Sequence, residues 1–293
     1  MEGYTATGIL PHLLFIAPKG CGKTTLAKAV GRNLKNRYES IGLPKKFYEI
    51  NCSTIKNVKQ LINQIIIPHV HNKECTILFD ECSELPKDVT MALLTILNPN
   101  PQNRTSFSFE DYTIDFDFSR QTFMFATTEA HQVFHALIDR CDRIDLEEYT
   151  HDELAKIVSL NLDDVEFEDG VLMDIAPVLR GNARAAQKIA NKISTYMSAR
   201  DKYEFNKEDW EQLKYHLGIL PLGLSRIELT ILRYLAERKE CSLTNLAAKT
   251  GLTPECIRRD FEMFLQKMGL MQITTKGREL TQDGHKYLSL IHI

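Results

Sequence analysis

The chain has 293 residues, more than one compact core usually holds, so two or three domains are expected. Its 43% hydrophobic and 26% charged residues exclude a disordered chain. No apolar run approaches the roughly 20 residues that span a bilayer. The formal net charge of −3 is uneven: from Leu222 onward eleven Lys and Arg face eight Asp and Glu, a local +3, while the remainder carries −6. Any nucleic-acid contact is therefore expected in the C-terminal part.

Met1 to Pro11 lacks the basic and apolar regions of a secretory signal, so a cytoplasmic protein with no membrane partner is expected. The apolar run His12–Ala17 then reads as a strand that stops at Pro18-Lys19-Gly20 and continues into a helical pattern through Leu26, Ala27, Val30 and Leu34. Phe47–Ile50 reads as a second strand, Val58–Ile67 as a helix, and Thr76–Phe79 as a third, buried strand. Met91–Leu97 is a short helix ended by Asn98-Pro99. From Ser106 to Phe118 apolar and polar residues alternate around Glu110-Asp111, the pattern of a hairpin. Gln121–Ala126 is a fourth strand, and strands alternating with helices in this order imply a parallel sheet covered on both faces.

From Thr150 the strand signal disappears. His151–Leu160, Gly170–Leu179, Ala183–Met197 and Lys207–Leu217 are four helical stretches, and Gly218–Leu222 reads as a linker. The remainder gives helix, helix, turn, helix and two short strands, a winged-helix order in which Thr253 caps a helix with Pro254 at its first position. Three domains follow: an α/β domain over 1–149, a small all-α domain over 150–218 and a winged helix over 219–293.

Two motifs carry chemistry. In Ala17-Pro18-Lys19-Gly20-Cys21-Gly22-Lys23-Thr24-Thr25 a tight turn precedes a helix, the arrangement that aims backbone N–H groups at phosphates. Gly20 and Gly22 supply the turn, Lys23 the charge for the β- and γ-phosphates, and Thr24 a ligand for Mg²⁺. The second motif is the apolar strand that ends in Asp80-Glu81, 57 residues after Lys23. There Asp80 is placed to hold Mg²⁺ and Glu81 to polarise the water that attacks the γ-phosphate, so ATP and Mg²⁺ are the expected substrate and metal.

The seven cysteines (21, 52, 75, 82, 141, 241, 256) form no CxxC pair and read as reduced, mostly buried thiols. His131 and His135 have the spacing of a metal pair without an evident third ligand, and ordinary surface or packing roles are expected for them.

Taken together, these segments resemble the RuvB family of AAA+ ATPases. Ala126-Thr127-Thr128 resembles that family's GATT segment, and Ala136-Leu-Ile-Asp-Arg140-Cys141 its PLRDRF box. Arg180-Gly-Asn-Ala-Arg184 resembles its RGTPR helix, and Phe264–Leu270 with Thr274–Arg278 is similar to its C-terminal helix and wing. The resemblance implies a homohexameric ring in which Thr128 senses the γ-phosphate and Arg140 is a finger inserted into the neighbouring subunit's ATP site. It implies that Arg184 contacts the nucleotide from the lid, and that the ring drives branch migration on duplex and four-way-junction DNA. Arg258, Arg259, Lys276 and Arg278 are then the phosphate-contacting residues, and the hairpin 106–118 the docking site of a RuvA-like junction-binding protein. The chain departs from the family pattern with Ala17 at the first P-loop position, Cys82 after Asp80-Glu81 and Ile273 at the first wing position. Asp139-Arg140-Cys141 also resembles the finger box of clamp loaders, whose C-terminal collar is helical and unlike a wing. A DNA-binding regulator that only senses nucleotide is the non-enzymatic alternative.

Overall fold

The computed structural model describes residues 10–36, 42–98, 104–109, 112–118, 120–238 and 240–291. Its contacts divide the chain into two compact units: Met1–Thr150 with Gly181–Ala185, and His151–Arg180 with Ala186–Ile293. No helix among the described residues is long and apolar enough to cross a membrane.

The first unit is built on a five-stranded parallel sheet in the order β2-β3-β6-β1-β7, where β1 is Leu13–Ile16, β2 Lys46–Asn51, β3 Cys75–Asp80, β6 Gln121–Thr127 and β7 Asp142–Asp145. Neighbouring residues of the central strands point to opposite faces, and the two faces are filled separately. Leu14, Ile77, Phe79, Phe123 and Phe125 belong to one buried cluster, and Leu13, Phe15, Leu78, Met124 and Ala126 to the other. Runs that are apolar at every position are the expected sequence of strands buried on both sides. Phe79 stacks on Phe125 with ring centroids 5.3 Å apart, so the middle of the sheet is bound by aromatic contact as well as by its ladder.

Three elements of this unit differ from the sequence expectation. The helix expected over Met91–Leu97 begins earlier, at Lys87, with Pro86 at its N-cap position and Val89 as the one buried apolar residue of its first turn. The helix expected over Val58–Ile67 keeps its position, but Leu61–Val70 is wound as a wider π-helix that contains Pro68. Strand β7 escapes a hydrophobic reading because its sequence, Asp-Arg-Ile-Asp, is that of a half-exposed edge. Between β3 and β6, β4 (Arg104–Phe109) and β5 (Tyr112–Asp117) form an antiparallel pair with Phe109 opposite Tyr112. The acidic tip of this hairpin, residues 110–111, lies outside the described residues.

The second unit holds the helices His151–Leu160, Val171–Ile175, Ala183–Ser198 (from Ala186 onward) and Lys207–Leu217. Two-residue parallel strands, Glu166–Phe167 and Glu204–Phe205, join them, too short to register in sequence periodicity. Trp210, the only tryptophan of the chain, is 1% exposed, and its Nε1 finds no partner among the described residues. The remainder is a winged helix: Arg226–Glu237, Leu243–Thr250, a helix running from Pro254 to Lys267 with a π-turn at Arg258–Glu262, and the hairpin Met271–Thr274 with Gly277–Leu280. A closing helix, Gln282–Ile291, was not legible as a separate element. Thr253 accepts from Cys256 N at 3.2 Å, which makes it the helix cap that its position suggests.

His12 sits at the mouth of β1 and accepts a hydrogen bond at Nδ1 from Phe123 N at 3.2 Å, so the neutral ring is the bonded form. Burial lowers its pKa from 6.5 to about 4. The unfolded chain therefore binds the extra proton first as the solution is acidified. Stability is full above about pH 6.5 and should fall by roughly 2–3 kcal/mol as the pH drops to about 4. Denaturant titrations across that range should show a flatter profile for His12→Gln. Equal slopes for the two proteins would remove His12 from the account.

Candidate functional site

The loop between β1 and the helix Lys23–Asn33 is shaped by two glycines. Gly20 and Gly22 both have φ of +84°, in the left-handed region that a side chain disfavours. Space excludes side chains as well: a Cβ on Gly20 would lie 2.0 Å from Asn182 Oδ1, and one on Gly22 2.8 Å from the Tyr149 hydroxyl. The loop therefore ends with bare backbone at a helix N-terminus, the kind of place where N–H groups receive an anion.

Lys23, the first residue of that helix, is 6% exposed and donates to the carbonyls of Ala17 at 3.1 Å and Pro18 at 3.3 Å. Burial holds its pKa below the ordinary lysine value, while Glu81, Asp80 and Cys21 oppose the shift and the charge of Arg184 adds to it. A buried ammonium held by two neutral carbonyls is poised for an anionic ligand. Thr24 Oγ1 donates to Asp80 Oδ2 at 3.0 Å, which joins the loop to the end of β3. These are the two groups expected to hold Mg²⁺, and their convergence on one point fits a small hard cation with oxygen ligands. Glu81 follows with φ of 55°, and its N–H donates to Asp80 Oδ1 at 3.1 Å. Strain at a residue beside a charged site is often tied to function.

Thr127 and Thr128 close the other side at the end of β6. Thr127 is fully buried: its hydroxyl donates to Ser83 Oγ at 3.1 Å and accepts from Glu129 N at 2.9 Å. Thr128 is half-buried one residue beyond. The segment 181–185 completes the site within the same unit. Ala183 N donates to Gly20 O at 3.1 Å, Asn182 Nδ2 to Lys19 O at 3.1 Å, and Tyr149 N to Gly181 O at 3.2 Å. Arg184 is exposed beside this seam and close enough to Lys23 to act on its charge. Sequence reasoning misses Asn182 and Tyr149. The signal for Asn182 is its cap-forming residue type just ahead of a strong helix, and Ala185 N indeed donates to its Oδ1 at 3.1 Å.

Arg140 follows the short helix His135–Ile138 and is turned back on it, Nη1 donating to Ala136 O at 2.8 Å. Its Nε is buried and finds no partner among the described residues. The seven cysteines are free thiols, five of them buried. Burial pushes Cys82, next to Glu81, up to about 12, so it remains a protonated thiol beside the carboxylates. His135 Nδ1 lies 3.2 Å from Asp139 Oδ2, an exposed pair.

The four C-terminal cations separate into two kinds. Arg258 and Arg259 are exposed on the π-turn, and Lys276 is exposed at the hairpin turn with a loose 3.5 Å approach to Glu240. Arg278 is different. Its guanidinium is bound through Nε and Nη2 to the carboxylate of Glu262, which is 1% exposed. The expectation of a free phosphate contact at Arg278 therefore gives way to an internal role, because its charge already neutralises a buried carboxylate and pins the wing to the preceding helix.

The chain matches two family descriptions: the ATPase family associated with various cellular activities (AAA) over residues 13–149, and the RuvB C-terminal winged helix domain over residues 221–289. It is 23% identical to the Holliday junction branch migration complex subunit RuvB of Wolbachia pipientis wMel, over 98% of this chain and 86% of that protein. It is 27% identical to the subunit RuvB 2 of Synechococcus sp. (strain JA-3-3Ab), over 95% of this chain and 74% of that one. Among solved structures it is similar in fold to the Thermotoga maritima RuvB Holliday junction branch migration motor, with a TM-score of 0.77 and 23% identity over 98% of this chain and 90% of that chain. A proline-to-glycine mutant of the same Thermotoga protein gives a TM-score of 0.79 at 23% identity, covering 98% and 91%.

The sorting of the cations has a measurable outcome. Arg258→Ala should lower the slope of log affinity for duplex DNA against log salt by about 1, as expected when one phosphate contact is lost. Replacing Arg278 and Glu262 together by Met and Leu should leave that slope unchanged. A lower slope in the double variant would return Arg278 to the phosphate-contacting set.

Proposed function

The chain belongs to the RuvB family of AAA ATPases, and from that premise we propose that it is an ATP-driven motor that moves duplex DNA through a homohexameric ring and drives branch migration of four-way junctions in recombination and repair. The observation that carries the reading is the bond of Thr24 to Asp80, whose charge acts on the buried Lys23, in a chain that also carries a winged helix of RuvB type. The winged helix also favours this reading over the clamp-loader one, which expects a helical collar there.

In the proposed reaction the residues Pro18–Thr25 wrap the phosphates of ATP with backbone N–H groups, and Lys23 exchanges its two carbonyl partners for the β- and γ-phosphate oxygens. Thr24 and Asp80 would hold Mg²⁺, which would supply positive charge against the phosphates. Glu81 polarises the attacking water and accepts its proton. Thr128 stands at the end of β6 on the γ-phosphate side, and Arg184 reaches the same phosphate from the helix N-terminus at 183. Arg140 leaves Ala136 O and enters the neighbouring subunit's site, where it offsets charge on the transferring phosphoryl group. Its buried, unpartnered Nε supports the idea that the folded-back pose is a resting one. On DNA, Arg258, Arg259 and Lys276 contact phosphates without reading sequence. The hairpin of β4 and β5 is the proposed docking site of a RuvA-like protein.

The test exploits the shared site. Lys23→Ala and Arg140→Ala should each reduce ATP turnover by roughly 10³-fold or more. Mixing the two inactive proteins should restore turnover, because an intact Lys23 then meets an intact Arg140 from a neighbour. Glu81→Gln should bind ATP and stall on a four-way junction. If Lys23→Ala hydrolyses ATP at the parental rate, the motor reading fails; if mixing restores nothing, the finger does not act in trans.

A further inference from the structure

Arg180 is the last residue of the second unit before the chain enters the segment 181–185 at the phosphate loop. It ends the 3₁₀ turn Ala176–Leu179 with φ of 55°, a left-handed conformation that is uncommon for an arginine. Side-chain contacts hold it there. Nη1 and Nη2 donate to the two carboxylate oxygens of Glu228, each at 2.8 Å, and Nη2 also donates to Gly223 O at 2.6 Å. The guanidinium lies 3.6 Å from the centre of the Phe264 ring.

These partners of Arg180 belong to the winged helix or to its entry. Glu228 is fully buried in the first helix of that domain, where its Oε2 also accepts from Ser225 N at 2.7 Å and Ser225 Oγ at 2.8 Å. Phe264 lies on the helix that carries Arg258 and Arg259, two residues after the Glu262 that holds Arg278. The connecting segment is drawn in at the same place: a Cβ on Gly223 would lie 2.9 Å from Val178 Cα, so the backbone there lies directly against the turn that Arg180 ends. A bidentate pair with a stacked ring fixes orientation as well as distance, which a lysine does not reproduce.

On the other side of one peptide bond, Gly181, Asn182 and Ala183 are bonded to Tyr149, Lys19 and Gly20. We propose that Arg180 is a positioning residue that makes the end of the helical segment and the winged helix one rigid body, so that a nucleotide-driven displacement of residues 181–185 is delivered to the helix bearing Arg258 and Arg259 instead of being taken up in the connection at 218–224. The proposal rests on the motor reading above. It gives Arg180 no part in phosphate chemistry. Its loss should separate fuel consumption from movement, a coupling carried by a contiguous network with two discrete arrangements.

The experiment compares the full-length parent with Arg180→Ala, Arg180→Lys and Phe264→Leu. Three quantities are measured: ATP turnover without DNA, affinity for duplex DNA, and ATP consumed per base pair of four-way junction migrated. Turnover and affinity should stay within about twofold of the parent, and the ATP cost per base pair should rise roughly two- to thirtyfold in Arg180→Ala. Arg180→Lys and Phe264→Leu, which each keep part of the contact set, should fall between the two. If Arg180→Ala fails to fold, the other two variants decide by the same ratio. A parental ATP cost in the variants that fold overturns the proposal, as does a loss of turnover that scales with the loss of movement. A parent that hydrolyses ATP but never migrates a junction overturns the motor reading itself, an outcome recognisable before any variant is made.

Discussion

Gly20 and Gly22 share a backbone conformation that leaves no room for a Cβ, and the atoms that fill that room, Asn182 Oδ1 and the Tyr149 hydroxyl, come from the far end of the first unit. This crowding is the constraint on which the rest of the site depends. A phosphate loop works through bare N–H groups, so residues that close over it must approach backbone directly. The parallel sheet makes that approach possible. β1 ends where the loop begins, β3 delivers Asp80 to Thr24, and β6 sets Thr127 and Thr128 beside them. Lys23 is then a buried cation held by two carbonyls, neutral oxygens that the charged ones of a phosphate can replace.

Buried charge is used differently in the second unit. The pairs Arg180–Glu228 and Arg278–Glu262 each place a carboxylate at or below 1% side-chain exposure against an arginine. Removing one partner of such a pair leaves a stranded charge at a cost of about 3–5 kcal/mol, whereas the intact pair adds little over an apolar contact. Their value lies in fixing which helix meets which. Arginine suits the task because its planar fork admits only a narrow range of geometries. A basic C-terminal region can thus be misread: two of its cations face solvent on a helix, one lies at a turn, and one is structural.

The sequence disclosed the elements that repeat a period and the motifs that need fixed spacing. The strands buried on both faces, the amphipathic helices after residue 150 and the loop from Ala17 to Thr25 were legible because each imposes a pattern on consecutive residues. What stayed hidden lacks such a pattern. β7 is a half-exposed edge strand held by the hydrogen bonds of its neighbour, and the strands at 166–167 and 204–205 are too short for any period. The role of Arg278 depends on a glutamate 16 positions earlier, and that of Arg180 on one 48 positions later. Separations of that kind are set by the tertiary fold, and a charged residue reads the same in sequence whether it meets solvent or a buried partner.

Trp210 gives this architecture an optical consequence. The chain has no other indole, and this one is sealed inside the helical unit, with Lys214 Nζ 5.8 Å from its ring. Native tryptophan emission therefore reports the packing around residue 210: blue-shifted while the core there is dry. An investigator wishing to watch nucleotide arrive could place a chromophore within the first unit itself. Tyr149, whose hydroxyl already lies over Gly22, marks the place where an indole would see it.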